Sequence, residues 1–150
     1  MKNRLFNTTD SWTMIVLRVI LGLVILPHGA QKLLGWFGGY GFTGTMNFFT
    51  GTVGLPWIIG FLVIIIEFFG SILLIAGIGT RIIAASYIVL AIGIAASSHI
   101  QNGFFINWGG SQAGEGFEYF ILWIALSIAL LINGGGKYSA DKLFLKAGAA

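Results

Sequence analysis

An apolar stretch from Trp12 to Leu34 is long enough to cross a bilayer, yet it carries Arg18, His28 and Lys32. No other feature narrows the fold as much. An ionisable side chain in hydrocarbon costs roughly 2.5 kcal/mol at the least, so a lone lipid-facing helix would not carry these residues. One side of the segment must face protein or water. The rest of the chain must supply what meets it.

Composition says what kind of partner segments these are. The chain has 150 residues, 57% hydrophobic and only 9% charged, with a mean hydropathy of +0.92. A soluble domain carries about 25% charged residues, so this is an integral membrane protein whose first partner is the lipid bilayer. The chain has no cysteine. That removes disulfides, thiolate nucleophiles and iron–sulfur ligation. The net charge of +3 forms no basic stripe, which argues against a nucleic-acid partner. Lys2 and Arg4 look like the start of a signal peptide, but Arg18 interrupts the apolar run and no small-residue cleavage site follows. An uncleaved first span is the better reading.

The apolar runs predict one all-α domain, an integral membrane four-helix bundle with spans at about 12–34, 56–78, 82–100 and 117–132. Asp10 or Ser11 can cap the first span, and Pro27 predicts a kink in it. Residues 35–55 are too rich in glycine for a span and too aromatic for an ordinary solvated loop. They read as a loop at the membrane surface with a short interfacial helix near 45–50, able to act as a lid. Pro56 opens the second span, and Gly79-Thr80-Arg81 is a turn so short that spans two and three are antiparallel neighbours. A short tail, 138–144, has an amphipathic pattern. Four spans put both termini on one side. Lys2, Arg4, Arg81, Lys137, Lys142 and Lys146 fall there and only Lys32 falls opposite, so the positive-inside rule places both termini in the cytoplasm.

This topology assigns depths. Glu67 falls near the midplane, with Arg18 roughly 7 Å to the cytoplasmic side and His28 roughly 7 Å to the outer side at 1.5 Å per residue. His99 ends span three, and Glu115 and Glu118 begin span four. Side chains lean toward a helix N-terminus, so His28, Lys32 and His99 lean into the membrane while Glu67 leans outward. These groups converge on a polar pocket in the outer half. Glu67 can pair with His28, favoured by direction, or with Arg18, favoured by charge and reach. Each group also has a plainer role. Arg18 can snorkel or join two helices. Glu67 can be a neutral buried acid, and the histidines can be helix-end polar groups. Lys32 can anchor at the interface, and Glu115 and Glu118 can be loop and helix-start acids.

Other chemistries fare worse. Carboxylate-bridged metal sites use paired Glu-x-x-His motifs, and none occurs, so no metal is expected. Haem between His28 and His99 is geometrically conceivable but disfavoured. No nucleotide loop, zinc pattern or hydrolase elbow is present.

Several motifs together resemble the DoxX family. They are Leu17-Arg18 with Gly22, Pro27-His28-Gly29 with Gln31-Lys32, and Gly35-Trp36-Phe37-Gly38-Gly39. Phe48-Phe49 before Gly54-Leu55-Pro56, then Glu67, Gly79-Thr80-Arg81, His99, Asn102-Gly103-Phe104-Phe105 and Gly114-Glu115-Gly116-Phe117-Glu118-Tyr119 continue the pattern over roughly 12–135. The resemblance implies a small four-helix protein of the bacterial inner membrane. The family is commonly labelled oxidoreductase and linked to quinone-dependent electron transfer.

Two functional classes follow. In the first, the chain is an accessory or catalytic subunit in quinone-linked redox chemistry, with a redox partner protein or a quinone. Glu67 and His28 would be the catalytic candidates, and Arg18, Lys32, His99, Glu115 and Glu118 the ligand-binding candidates. In the second, it is a non-enzymatic module that binds a lipid-like ligand, assists a partner membrane protein or forms a homo-oligomer.

Overall fold

A computed structural model describes residues 5–147, with side chains described from Leu5 to Phe144. Lys2, Arg4 and the Lys146 side chain, used above for orientation, lie outside the described part. Every regular element among the described residues is helical, with no strand among them. Helix α1 is Trp12–Leu34, α2 is Gly41–Asn47, α3 is Trp57–Ala76, α4 is Thr80–Asn102, α5 is Glu118–Asn133 and α6 is Asp141–Ala147.

Three of these, α1, α3 and α4, are long and apolar enough to cross a membrane, with mean hydropathies of 1.9, 2.8 and 1.8. Helix α5 has 16 residues. At 1.5 Å per residue that is about 24 Å, short of a hydrocarbon core of about 30 Å. The outward faces carry exposed Val16, Ile20, Leu23, Ile58, Leu62, Val89 and Leu122, the surface that lipid would cover. Helix α1 packs on α3 and α4 on α5, and the ring closes through α1 on α5 and α3 on α4. Leu21, Ile25, Leu74, Tyr87, Trp123 and Leu130 fill the centre.

Two details position the site. Gly29 brings α1 and α3 into backbone contact, since a Cβ there would lie 2.5 Å from the Phe68 nitrogen and 2.7 Å from the Glu67 carbonyl carbon. Three π-helical turns break the regular pitch, at Phe48–Thr52, Ile66–Gly70 and Ala95–His99. Such turns rotate the side chains that follow and recur at functional sites. Helix α1 runs through Pro27, where a kink is expected, as one element.

The end of the bundle where the chain enters α1 and leaves α5 is sealed by hydrogen bonds. The Arg18 guanidinium, only 4% exposed, donates to the carbonyls of Leu74 at 3.2 Å, Gly135 at 2.9 Å and Tyr138 at 3.3 Å, and to that of Ile75. The Leu74 and Ile75 carbonyls lie in the last turn of α3, where helix carbonyls lack intrahelical partners. Asp141 does the converse for α4. Its carboxylate accepts from the amides of Gly79 at 2.6 Å and Thr80 at 3.0 Å, an N-cap supplied from another element. The expected cap at Asp10 or Ser11 does not form. Neither side chain bonds the start of α1, and Asp10 instead pairs with Lys142 at 2.8 Å. Gly136, at φ 81, lets the tail cross this knot, because a Cβ there would lie 2.6 Å from the Ser11 carbonyl oxygen.

Candidate functional site

The opposite end holds the polar pocket. Contact at Gly29 sets the register of α1 against α3, and Lys32, almost one turn further along, meets Glu67. The Lys32 ammonium lies 2.6 Å from the Glu67 carboxylate, with Lys32 25% exposed and Glu67 2%. Glu67 sits in the π turn Ile66–Gly70. One turn on, the Ser71 hydroxyl donates to the Glu67 carbonyl at 2.5 Å and lies 2.6 Å from the hydroxyl of buried Tyr87. The open alternatives for Glu67 are thereby resolved. Its partner is neither His28 nor Arg18 but Lys32, because Arg18 is committed to carbonyls at the other end.

A cavity of about 400 Å³ opens beside this pair. Its walls include Ile25, His28 and Lys32 of α1, Glu67 of α3, Ile94 and His99 of α4, Glu115 of the following loop, and Tyr119, Phe120 and Trp123 of α5. His28 and Glu115 are exposed and stand at the mouth. His99 is half-buried. Its ring lies edge-on to Phe120 at 4.6 Å, and its Nδ1 lies 3.3 Å from the Ile94 carbonyl. Glu115 also accepts from the Asn107 amide at 2.6 Å.

Of the sequence candidates, His28, Lys32, Glu67, His99 and Glu115 therefore share one cavity, and two do not join them. Arg18 is a structural group of the sealed end. Glu118 is not among the walls, and its carboxylate accepts from the Ile106 amide at 2.8 Å, where it fastens the loop to the start of α5. Among the described residues no three of histidine, aspartate and glutamate gather as a metal site would require.

Sequence reasoning missed the two wall residues with the most to offer a ligand. The Trp123 Nε1 and the Tyr119 hydroxyl are buried and have no hydrogen-bond partner. A buried donor left unpaired costs about 1–3 kcal/mol, so an unpartnered group lining a cavity marks where a ligand or water completes it. Thr80 and Ser127 also have unpartnered hydroxyls, but neither lines this cavity. The signal was present in the sequence. Tyr119 and Trp123 are the polar-tipped aromatics of an otherwise apolar helix, four residues apart and so on one face.

The comparisons with known proteins agree with this architecture. The DoxX family model matches residues 13–100, which covers α1 through nearly all of α4. A Bacillus subtilis protein named "Putative oxidoreductase CatD" is 29% identical over 116 residues, covering 77% of this chain and 76% of that protein. No solved structure matches the chain. With more than half of its residues inside the family match and the helical membrane architecture described above, this chain belongs to the DoxX family.

Proposed function

We propose that this protein takes part in quinone-linked redox chemistry at the bacterial inner membrane, with a quinone head group as the ligand of the Lys32–Glu67 cavity. The observation that carries the reading is the pair of aromatics Tyr119 and Trp123, which line a cavity that also holds an ion pair and carry a hydroxyl and an Nε1 without a hydrogen-bond partner. An indole N–H can only donate. It calls for a ligand with an acceptor oxygen, and a quinone offers carbonyls on two edges of a flat apolar ring. Ile25, Ile94 and Phe120 supply apolar walls for such a ring. Haem is less well matched, since the spare groups are hydrogen bonders rather than a ligand pair.

A bound quinone would accept electrons from a partner reductant and protons from its surroundings. The chain's own part is to bind and to manage protons. Trp123 and Tyr119 hold the ring by its carbonyls. Glu67, paired with Lys32 and almost wholly buried, is placed to hold a proton beside the ring. His28 and Glu115, exposed at the mouth, are placed to exchange protons with water. The basic residues Arg81, Lys137 and Lys142 at the sealed end, against Lys32 at the other, favour cytoplasmic termini and an outward-facing cavity. The name of the Bacillus subtilis relative, "Putative oxidoreductase CatD", agrees with this class of chemistry.

The test is direct. The protein is purified in mild detergent, its bound lipids are extracted, and the Glu67→Gln variant is assayed for quinone reduction in membranes. Co-purified quinone and a loss of activity in the variant are expected. Absence of quinone together with unchanged activity overturns the reading. The second reading, a non-enzymatic binder of a lipid-like ligand, would then be favoured by the apolar groove described next.

A further inference from the structure

A second, larger cavity, about 620 Å³ and lined mainly by aliphatic side chains, lies on the outer face of α3 and α4. Its floor on α4 is Ala85, Val89, Gly93 and Ser97, spaced four apart along one face. Leu62 and Ile66 of α3 and Phe49 of the α2 extension form the other wall. Val89 is 71% exposed and Leu62 41%, so the groove is open to lipid along its length. Three residues wall both cavities: Lys32, Glu67 and Ile94. The ion pair is therefore the partition between a chamber that holds the titratable side chains and a groove lined mainly by aliphatic ones. All three π turns border these spaces. Phe48 and Phe49 stand on the groove, and Glu67 stands on both cavities. The turn Ala95–His99 sends His99 to the chamber and Ser97 and Ser98 to the groove.

We infer that the groove holds the isoprenoid or alkyl tail of a ligand whose ring occupies the chamber, and that the ligand enters sideways from the bilayer past the Lys32–Glu67 pair. This rests on the quinone reading of the chamber and adds to it the route and the tail site. An ordinary phospholipid does not meet both halves, because its charged headgroup stays at the membrane surface while its chains run inward. A ring with hydrogen-bond acceptors and a single greasy chain matches a polar chamber joined at its side to an apolar trough. Lys32 suits a partition. Its long stem can swing and its ammonium can follow water, whereas Glu67 is fixed on α3.

Gly93 makes the test clean. A Cβ added there meets nothing within 4 Å, so Gly93→Leu starts its side chain in open space on the groove floor, and leucine favours the helix. Ala85→Leu, further along the same floor, is the second variant, and Ala125→Leu, on α5 and outside both cavities, is the control. Binding is read in lipid nanodiscs with decylubiquinone and with the same ring lacking a tail. Both groove variants are expected to weaken decylubiquinone about tenfold, equivalent to about 1.4 kcal/mol, and to leave the tail-free ring unchanged. The control should match the unmodified protein with both probes. Equal decylubiquinone affinity in all four proteins overturns the tail site while sparing the chamber. Failure of decylubiquinone to bind the unmodified protein saturably overturns the quinone reading, and the tail site with it.

Discussion

The two ends of this bundle bury charge in opposite ways. At the sealed end, Arg18 donates to four backbone carbonyls and Asp141 accepts two backbone amides. Both side chains are spent on the ends of α3 and α4. At the other end, Lys32 and Glu67 face each other across 2.6 Å, next to an indole N–H and a phenol with nothing to bind. The first arrangement commits four of the five guanidinium N–H groups to backbone carbonyls. The second has donors in surplus. Membrane burial makes any unsatisfied polar group expensive; the sealed end leaves the Thr80 hydroxyl unpartnered but away from both cavities, whereas Tyr119 and Trp123 line one.

The largest expected effect tests the sealed end. Arg18→Met keeps the apolar stem but removes every one of those donors. Four carbonyls, two of them at the end of α3, lose this donor, and of those two the Leu74 carbonyl keeps only the Gly77 amide. A destabilisation of about 4 kcal/mol is expected, given that hydrogen bonds from a charged group contribute about 1.5–3 each and do not add fully. Thermal unfolding in detergent reads it. If Arg18→Met unfolds like the unmodified protein yet loses ligand, the contrast between the ends is wrong and Arg18 belongs to the site.

The next effect is smaller and has a distinctive pattern. Lys32→Met leaves the Glu67 carboxylate buried without a partner, and breaking a buried pair from one side costs about 3 kcal/mol. The double change, Lys32→Met with Glu67→Gln, removes the stranded charge as well. It should recover most of the lost stability while ligand binding stays impaired. A purely structural pair would regain both or neither. Arg18 offers no such rescue, because its partners are backbone groups that cannot be mutated away.

Much of this was legible in the sequence, for reasons specific to each residue. The helices could be read because lipid demands long apolar runs with few charges. The meeting of His28, Lys32, Glu67 and His99 followed from topology and from the lean of side chains toward helix N-termini. What could not be read was who pairs with whom. The Lys32–Glu67 contact depends on the backbone approach at Gly29 and on the π turn that carries Glu67, and neither leaves a periodic trace. Arg18 misled because a buried arginine suggests a carboxylate partner. Its true partners are carbonyls brought in by Gly135 and Tyr138, remote in sequence. Trp123 and Tyr119 were passed over because aromatics in a span read as packing, and only their unpartnered polar atoms say otherwise.

Those aromatics give the third test. Tyr119→Phe removes one hydroxyl that has no partner in the protein. Stability should change by about 0.5 kcal/mol or less, whereas quinone affinity should fall about fivefold to tenfold, one neutral hydrogen bond being about 1 kcal/mol. A loss of stability without a loss of affinity would make the hydroxyl structural and shrink the surplus on which the comparison rests.

The smallest effect separates burial from charge within the sealed end itself. Asp10 and Lys142 form an ion pair at 2.8 Å only a short way from Arg18, but in the open. The hydrogen bond and charge of Lys142 hold the Asp10 carboxyl below its ordinary value. A lowered folded-state pKa means that the pair's contribution is present above the ordinary carboxylate range and is lost as pH falls through it. Solvent and salt screen such exposed pairs heavily. Lys142→Ala should therefore leave the unfolding temperature unchanged at pH 7, and any small difference should vanish in acid or in high salt. A clear drop at pH 7 that persists in high salt would mean that the Asp10–Lys142 contact helps to close the knot around Arg18. The boundary of the saturated end would then lie further out than the buried residues alone suggest.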